Sequence, residues 1–409
     1  MKKNVLNFLK SRGYVYQASN FDIVEKELNK GINFYIGFDP TADSLHVGHF
    51  LTMMVIKHLQ KAGNNPVIVV GGGTGFIGDP SGRSEIRKMI DKETLKKNCD
   101  CLKNQMEKFI SFTGPNKAIM VNNADWLFKL NWIEFLREYG ICFSVNKMLA
   151  ADAFKTRFEQ ESGLSFLEFN YMLMQAYDFY YLYKNHNVTL EIGGSDQWSN
   201  ILAGIDLIRR KLSKEVQGLT LNLLTKHDGT KMGKTANGAV WLDKNKTSPY
   251  EFYQYWLNVD DQDVEKLLML LTELDESLIK DLCMEKGKKI LEAKRVLASE
   301  VTKMIHGEDE LKTAIEQSEA AFNNKGDNLP TVELSYSDLN NDFSIANILV
   351  VTKLSPSKAE SRRLISSNAV SINDIKVTDF NIKLDDLKID KNNFTLHKGK
   401  KSHIKVLIK

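Results

Sequence analysis

Tyr35-Ile-Gly-Phe-Asp39-Pro40-Thr41-Ala-Asp43-Ser-Leu-His46-Val-Gly48-His49 decides the fold, because it holds an apolar strand, a proline-locked turn and the start of a helix in one short run. Pro40 fixes its own φ and pushes Asp39 out of the helical region, which predicts that the strand ends near Phe38. Beyond His46, apolar residues recur at Leu51, Met54, Val55 and Leu59. That three-and-four spacing predicts a helix over 47–62, stopped at Ala62-Gly63. Gly48 then lies in or beside a first helical turn, where backbone N–H groups are unpaired and an anion such as a nucleotide phosphate is favoured. Two surface histidines at the head of a core helix is the alternative at this point.

Outward from that stretch, residues 66–70 (Pro-Val-Ile-Val-Val) form a second apolar strand. Strand, helix and apolar strand in this order predict a parallel sheet in an α/β, Rossmann-like nucleotide-binding domain. Residues 1–30 read as two short amphipathic helices broken at Gly13. After the second strand, Gly73, Gly75 and Gly78 make a formal Gly-x-Gly-x-x-Gly, but Asp79-Pro80 and Gly82 follow where a dinucleotide fingerprint needs an apolar helix, so an NAD site is rejected. So many glycines beside Asp79, Arg83 and Arg87 suit a loop lining a substrate. Residues 84–112 read as a charged helix, 119–121 as a strand and 126–139 as a helix, with 125–170 an insertion in the sheet.

Residues 171–184 predict a helix in which Tyr171, Gln175 and Asp178 share a face. A strand at 189–192 leads into Gly193-Gly-Ser-Asp196-Gln197, then a helix over 199–212 and a strand over 219–224. Lys231 and Lys234 flank one glycine in the basic loop 226–235, as expected of a mobile segment that closes on phosphates, although taken alone the loop reads first as a plain basic hairpin turn. From 249 to 322 the pattern is helical, 323–330 is rich in turn residues, and the rest reads as a helix-helix-strand module with a basic hairpin.

The whole chain has 409 residues, 43% hydrophobic and 26% charged, so two or three ordinary globular domains are expected. No apolar run approaches the roughly 18 residues of a membrane span, and a cytoplasmic protein without membrane contact is expected. Cys99, Cys101, Cys142 and Cys283 are scattered, which argues against a disulfide framework or a zinc site. The net charge of +3 is unevenly spread: residues 344–409 hold 13 Lys/Arg against 6 Asp/Glu, leaving 42 against 46 elsewhere. A basic tail of this kind suits a polyanionic partner, with a lysine-rich solvated surface as the other reading.

His46-Val-Gly-His49 near the start of an α/β domain and Lys231-Met-Gly-Lys-Thr235 at its end resemble the two signatures of class I aminoacyl-tRNA synthetases. With the stretches 35–49, 71–83, 171–178 and 193–198, the chain resembles the bacterial-type tyrosyl-tRNA synthetases from end to end. The resemblance implies activation of tyrosine by ATP and transfer to tRNA(Tyr), with Mg²⁺ accompanying ATP, no tightly bound metal, and a homodimer built through 125–170. It implies that Thr41, His46 and His49 contact ATP phosphates and that Lys231, Lys234 and Thr235 close over pyrophosphate. Gly37, Gly194 and Asp196 would hold the ribose, and Asp39 and Gly48 would also face ATP. Tyr35 with Asp178 would take the substrate hydroxyl, while Asp79, Tyr171 and Gln175 would take the α-amino group with Gln197 nearby. Arg83 and Arg87 become candidates for the carboxylate or the tRNA end.

A site that leaves its polar groups unpaired rejects phenylalanine by about 10⁵, roughly 7 kcal/mol, an effect for which this family is itself the standing example, so no editing domain is implied. Arg362, Arg363, Lys398, Lys400 and Lys401 are the expected tRNA phosphate contacts. The implied organisation is a catalytic domain at 1–225, the signature loop and linker at 226–248, an anticodon-side helical domain at 249–325, a linker at 326–342, and a small α+β RNA-binding module at 343–409. Two departures are modest: Gly and Thr replace the commoner serines of the second signature, and Arg83 stands where a lysine is often found. The competing readings are a tryptophanyl-tRNA synthetase, a small-molecule nucleotidyltransferase and a non-catalytic, synthetase-derived RNA-binding protein.

Overall fold

A computed structural model describes residues 4–79, 91–151, 154–155, 165–235, 238–284, 287–322, 329, 331–340, 342–373, 375–399 and 402–409. The chain packs as two compact units. One comprises Met1–Met232, Trp241–Asp243 and Asp260–Ala293; the other comprises Gly233–Val240, Lys244–Val259 and Lys294–Lys409. The stretch 249–325, expected as one helical domain, is thus shared: helices Val264–Leu271 and Glu276–Cys283 fall in the first unit, and Pro249–Leu257 and Glu308–Phe322 in the second.

The first unit is organised by a six-stranded sheet of β1 (Val15–Ala18), β2 (Asn33–Phe38), β3 (Asn65–Val70), β4 (Ile119–Asn122), β5 (Val188–Gly194) and β6 (Gln217–Leu221), in the order β1-β6-β5-β2-β3-β4. All neighbours are parallel except β1, which runs antiparallel to β6 at the edge. The chain leaves β2 toward β3 and β4, then returns to place β5 and β6 on the other side. Strand order therefore reverses at β2, and in open α/β sheets the crevice beyond the carboxyl ends at such a point is where ligands bind. Strand β1 corrects the expectation of two helices over 1–30: the helices are Val5–Ser11 and Phe21–Lys30, with the strand between them.

The helix after β2 runs Val47–Lys61, as its apolar spacing requires, and buries Phe50, Leu51, Met53, Met54 and Val55. A sheet face carrying Tyr35, Val67 and Val69 packs with Tyr171–His186, the helix that supplies Met172, Ala176, Phe179 and Leu182 to the same core. Helix Trp198–Leu212 adds Leu207 and Ile208. The single helix expected at 126–139 is two, Ala124–Leu127 and Trp132–Glu138, because Asn131 caps the second by accepting the N–H groups of Ile133 and Glu134.

In the second unit, β7 (Lys234–Thr235) and β8 (Gly238–Ala239) form a short hairpin. Strands β9 (Thr331–Leu334), β10 (Val370–Ile372), β11 (Ile375–Lys376), β12 (Asn393–Lys398) and β13 (Ser402–Ile408) form a sheet ordered β11-β10-β12-β13-β9. The helix-helix-strand and hairpin pattern is present as Ile345–Val351, Lys358–Ser366, β10 and β12–β13. Strand β9 lies in what the sequence reads as linker; it pairs parallel to β13, with Val332 opposite Val406.

Candidate active site

Asp39, at the end of β2, cannot continue the strand into Pro40. Its carboxylate accepts from the Thr74 hydroxyl at 2.9 Å and the Tyr171 hydroxyl at 3.1 Å. The loop after β3 must come close for this, and Gly71 permits it: a Cβ there would lie 2.2 Å from Asp39 Oδ1 and 2.4 Å from Thr74 Oγ1. The loop continues as a 3₁₀ turn at Thr74–Phe76.

From Thr74 the hydrogen bonds run on to Asp178. Asn123, just beyond the carboxyl end of β4, donates to Thr74 Oγ1 at 3.0 Å and to Asp178 Oδ2 at 2.9 Å, and accepts the Gly73 N–H at 2.7 Å. Trp126 Nε1 donates to Asp178 Oδ1 at 2.7 Å, and its ring stacks on Tyr181 with centroids 4.3 Å apart. Asp178 is therefore a buried carboxyl with an N–H donor on each oxygen. Burial raises its pKa to about 7, against the opposing pull of Asn123 and Trp126.

Tyr35 is buried in the same core, its ring centroid 6.2 Å from that of Phe179. Burial first, then the carboxyls of Glu191, Asp178 and Asp39, hold its hydroxyl protonated.

A second chain of hydrogen bonds starts at buried Glu191 on β5. Gln175 donates to Glu191 Oε1 at 3.0 Å and accepts from Asn200 at 2.9 Å. Asn200 also reaches Gln197 at 3.1 Å, and Gln197 donates to Asp79 at 2.6 Å. The structure thus brings together Tyr35, Asp39, Asp79, Tyr171, Gln175, Asp178 and Gln197. Reading the sequence missed Thr74, Asn123, Trp126, Glu191 and Asn200. The available signal was position, since Asn123 follows a strand's carboxyl end directly, where parallel sheets build their sites.

At the other side of β2, His46 is the N-cap of Val47–Lys61. Its Nδ1 accepts the Gly48 N–H at 3.0 Å, and His49 Nδ1 accepts the His46 N–H at 3.2 Å. Both Nδ1 atoms are thus acceptors, which puts the proton of each neutral ring on Nε2. The rings stack 4.0 Å apart, and burial together with His46 lowers the His49 pKa to about 3. A Cβ on Gly48 would fall 2.8 Å from His46 Cε1, so the cap needs glycine there. Trp241 closes this edge: it bridges His46 in antiparallel fashion with its ring 6.0 Å from the imidazole.

Thr41 is exposed in the tight turn after Pro40, its N–H on the Asp39 carbonyl at 2.8 Å. Gly37 is exposed near the end of β2, and Gly194 ends β5. Asp196 follows in the 3₁₀ turn Ser195–Gln197 and meets Lys231 at 3.6 Å. Lys234 and Thr235 lie on β7 in the second unit. Arg83 and Arg87 fall outside the described residues, as do Lys400 and Lys401. Arg362 lies over the Phe380 ring at 5.8 Å, and Arg363 is exposed beside Glu360 at 3.3 Å. Lys398 donates to the Leu354 carbonyl at 2.6 Å.

Residues 26–323 match the family described as tRNA synthetases class I (W and Y), and residues 321–406 match the Tyrosine--tRNA ligase SYY-like C-terminal domain. A tyrosine--tRNA ligase of Malacoplasma penetrans (strain HF-2) is 80% identical over 406 residues, with 99% of each chain covered. One from Clostridium tetani (strain Massachusetts / E88) is 56% identical over 411 residues, with 100% of each covered. Among solved structures, a C-terminally truncated mitochondrial tyrosyl-tRNA synthetase of Coccidioides posadasii superposes with a TM-score of 0.66 at 32% identity, covering 77% of this chain and 91% of that one.

Proposed function

The chain belongs to the class I tRNA synthetases of the tryptophan and tyrosine group, and from that premise we propose how its residues divide the work of a tyrosine--tRNA ligase. The enzyme takes tyrosine, ATP and tRNA. The tyrosine carboxylate attacks the α-phosphate of ATP, giving tyrosyl-adenylate and pyrophosphate; the 3′ ribose hydroxyl of tRNA(Tyr) then takes the tyrosyl group and releases AMP. No covalent enzyme intermediate is needed, so catalysis is positioning and stabilisation of phosphate charge.

Asp178 carries the reading. Its two N–H donors favour the ionised form, which can accept a hydrogen bond from a phenol that also meets the Tyr35 hydroxyl. Tyr171, Gln175 and Asp79 take the α-ammonium group, and Gln197 supports Asp79. His46, His49 and Thr41 meet the phosphates, and Asp39 and Gly48 shape this face. Gly37, Gly194 and Asp196 hold the ribose; Lys231, Lys234 and Thr235 attend the leaving pyrophosphate. Arg83 and Arg87 serve the substrate carboxylate or the tRNA end. Mg²⁺ arrives with ATP, held mainly by phosphate and water oxygens. Arg362 and Arg363 with the basic tail contact tRNA. No helix among the described residues is long and apolar enough to cross a membrane, and the setting we propose is the cytoplasm.

Trp132, Ile133, Ile141, Val145 and Phe166 are exposed within 125–170, and we assign this apolar surface to a second copy of the chain. Asp178→Ala tests the pocket: tyrosine-dependent ATP–pyrophosphate exchange should vanish while ATP binding survives. Unchanged exchange would overturn the assignment.

A further inference from the structure

Glu191 is a buried carboxyl that the account above leaves without a task. It sits on β5 directly opposite Tyr35 of β2 and is 1% exposed. One oxygen accepts from Gln175 Nε2; the other, Oε2, is buried with no hydrogen-bond partner. The groups facing it are few. Helix Tyr171–His186 presents Gln175 and Asp178, and β2 presents Tyr35. Helix Trp198–Leu212 presents Gly204, whose Cβ would lie 3.3 Å from Oε2, and β6 presents Gly218. Among the described residues no cation faces it. We propose that Glu191 is a positioning residue for the amino-acid pocket, held as the neutral acid so that its carbonyl oxygen fixes the Gln175 amide while Asp178 beside it keeps its negative charge.

Hydrogen-bond supply decides which carboxyl carries the charge. Two buried carboxyls share one pocket, and two like charges at close quarters cannot both be ionised cheaply. Asp178 has two N–H donors and Glu191 has one, so the charge settles on Asp178. Glu191, accepting from Gln175 Nε2, turns the Gln175 carbonyl toward Asn200 and leaves that oxygen's second lone pair for a substrate ammonium group. Burial raises the Glu191 pKa to about 8; Gln175 opposes the shift and Asp178 adds to it. Above that pH a second charge enters the dry pocket beside Asp178 and Tyr35, and filling the pocket with substrate becomes less favourable.

The proposal rests on the reading of Gln175 as an α-amino ligand. Its test is exchange kinetics of the full chain, wild type against Glu191→Leu and Glu191→Gln. Glu191→Leu strands the Gln175 N–H and should raise KM for tyrosine about 10- to 100-fold, with KM for ATP within about threefold. Glu191→Gln offers an amide oxygen in the same place and should keep KM for tyrosine near the wild-type value at pH 7. It should also lack the rise in that KM which the wild type shows on passing pH 8. An unchanged KM for tyrosine in a folded Glu191→Leu, or identical pH profiles for wild type and Glu191→Gln, overturns the proposal. If Glu191→Leu does not fold, the Glu191→Gln profile decides alone. A wild-type chain with no tyrosine-dependent exchange overturns the functional reading itself, which separates the two failures.

Discussion

Asn123 joins the glycine-rich loop to the buried carboxyl of Asp178, through Gly73 and Thr74. Asn123→Ala strands the Gly73 N–H and takes one donor from Asp178. The lost hydrogen bond had favoured the ionised carboxylate, so the Asp178 pKa must rise from its value of about 7. A phenol needs the ionised acceptor, so kcat/KM for tyrosine should climb with pH through that pKa, and the acid limb should move up in Asn123→Ala. One hydrogen bond is worth about 0.5–1.5 kcal/mol, a displacement of roughly half to one pH unit. A limb that stays in place, measured by exchange between pH 5.5 and 8.5, would remove Asn123 from this role. The sequence made Asp178 legible because an acid flanked by Tyr177, Phe179, Tyr180 and Tyr181 has no apolar reason to be there. It could not make Asn123 or Glu191 legible, since their partners are 55 and 16 residues away and only the folded sheet brings them together.

Among elements, those with a strong local period were readable and those held by distant partners were not. Val47–Lys61 follows its apolar stripe, whereas β1 is four largely half-exposed residues that become a strand by pairing with β6. The helix Val264–Leu271 shows the same dependence. Buried Arg12 donates to the carbonyls of Leu268, Met269, Thr272 and Leu274, and Tyr14 donates to that of Leu270. A helix end leaves its last carbonyls without intrahelical donors, and here the Arg12 guanidinium supplies those of Leu268 and Met269 while Tyr14 supplies that of Leu270. Arg12→Ala should therefore cost about 3–5 kcal/mol, read as a lower urea midpoint with little change in slope. Arg12→Lys should recover less than half of this, because an ammonium lacks the planar fork. A midpoint unchanged by Arg12→Ala would show that water caps the helix equally well.

At the scale of the whole molecule, the apolar surface at 125–170 and the basic tail are the features that a single catalytic pocket does not need. Ile141 is 76% exposed and Phe166 71%, and carboxylates there should be tolerated by the fold and rejected by a partner surface. Ile141→Asp should sediment as a monomer at micromolar concentration and the wild type as a dimer; two species of equal mass would refute the assignment.

The tail permits a sharper cut. Its core is built from Leu334, Leu339, Ile345, Ile348, Leu349, Ile365, Phe394, Leu396 and Val406, with every other buried member also between residues 334 and 408. Composition and charge alone pointed to a separate basic module, but β9 closes its sheet from within the expected linker, a pairing no local pattern announces. A chain ended after Asn328 therefore loses that core entire and leaves no half of it exposed, while every described pocket residue of the first unit is retained. Tyrosine-dependent exchange should stay within about threefold of the full chain. Charging of tRNA(Tyr) should fall by two orders of magnitude or more, because phosphate contacts supply most of the affinity for a nucleic acid, and the full chain's charging should weaken steeply with salt. Equal loss of exchange and charging would show that the tail supports the catalytic unit itself rather than the tRNA.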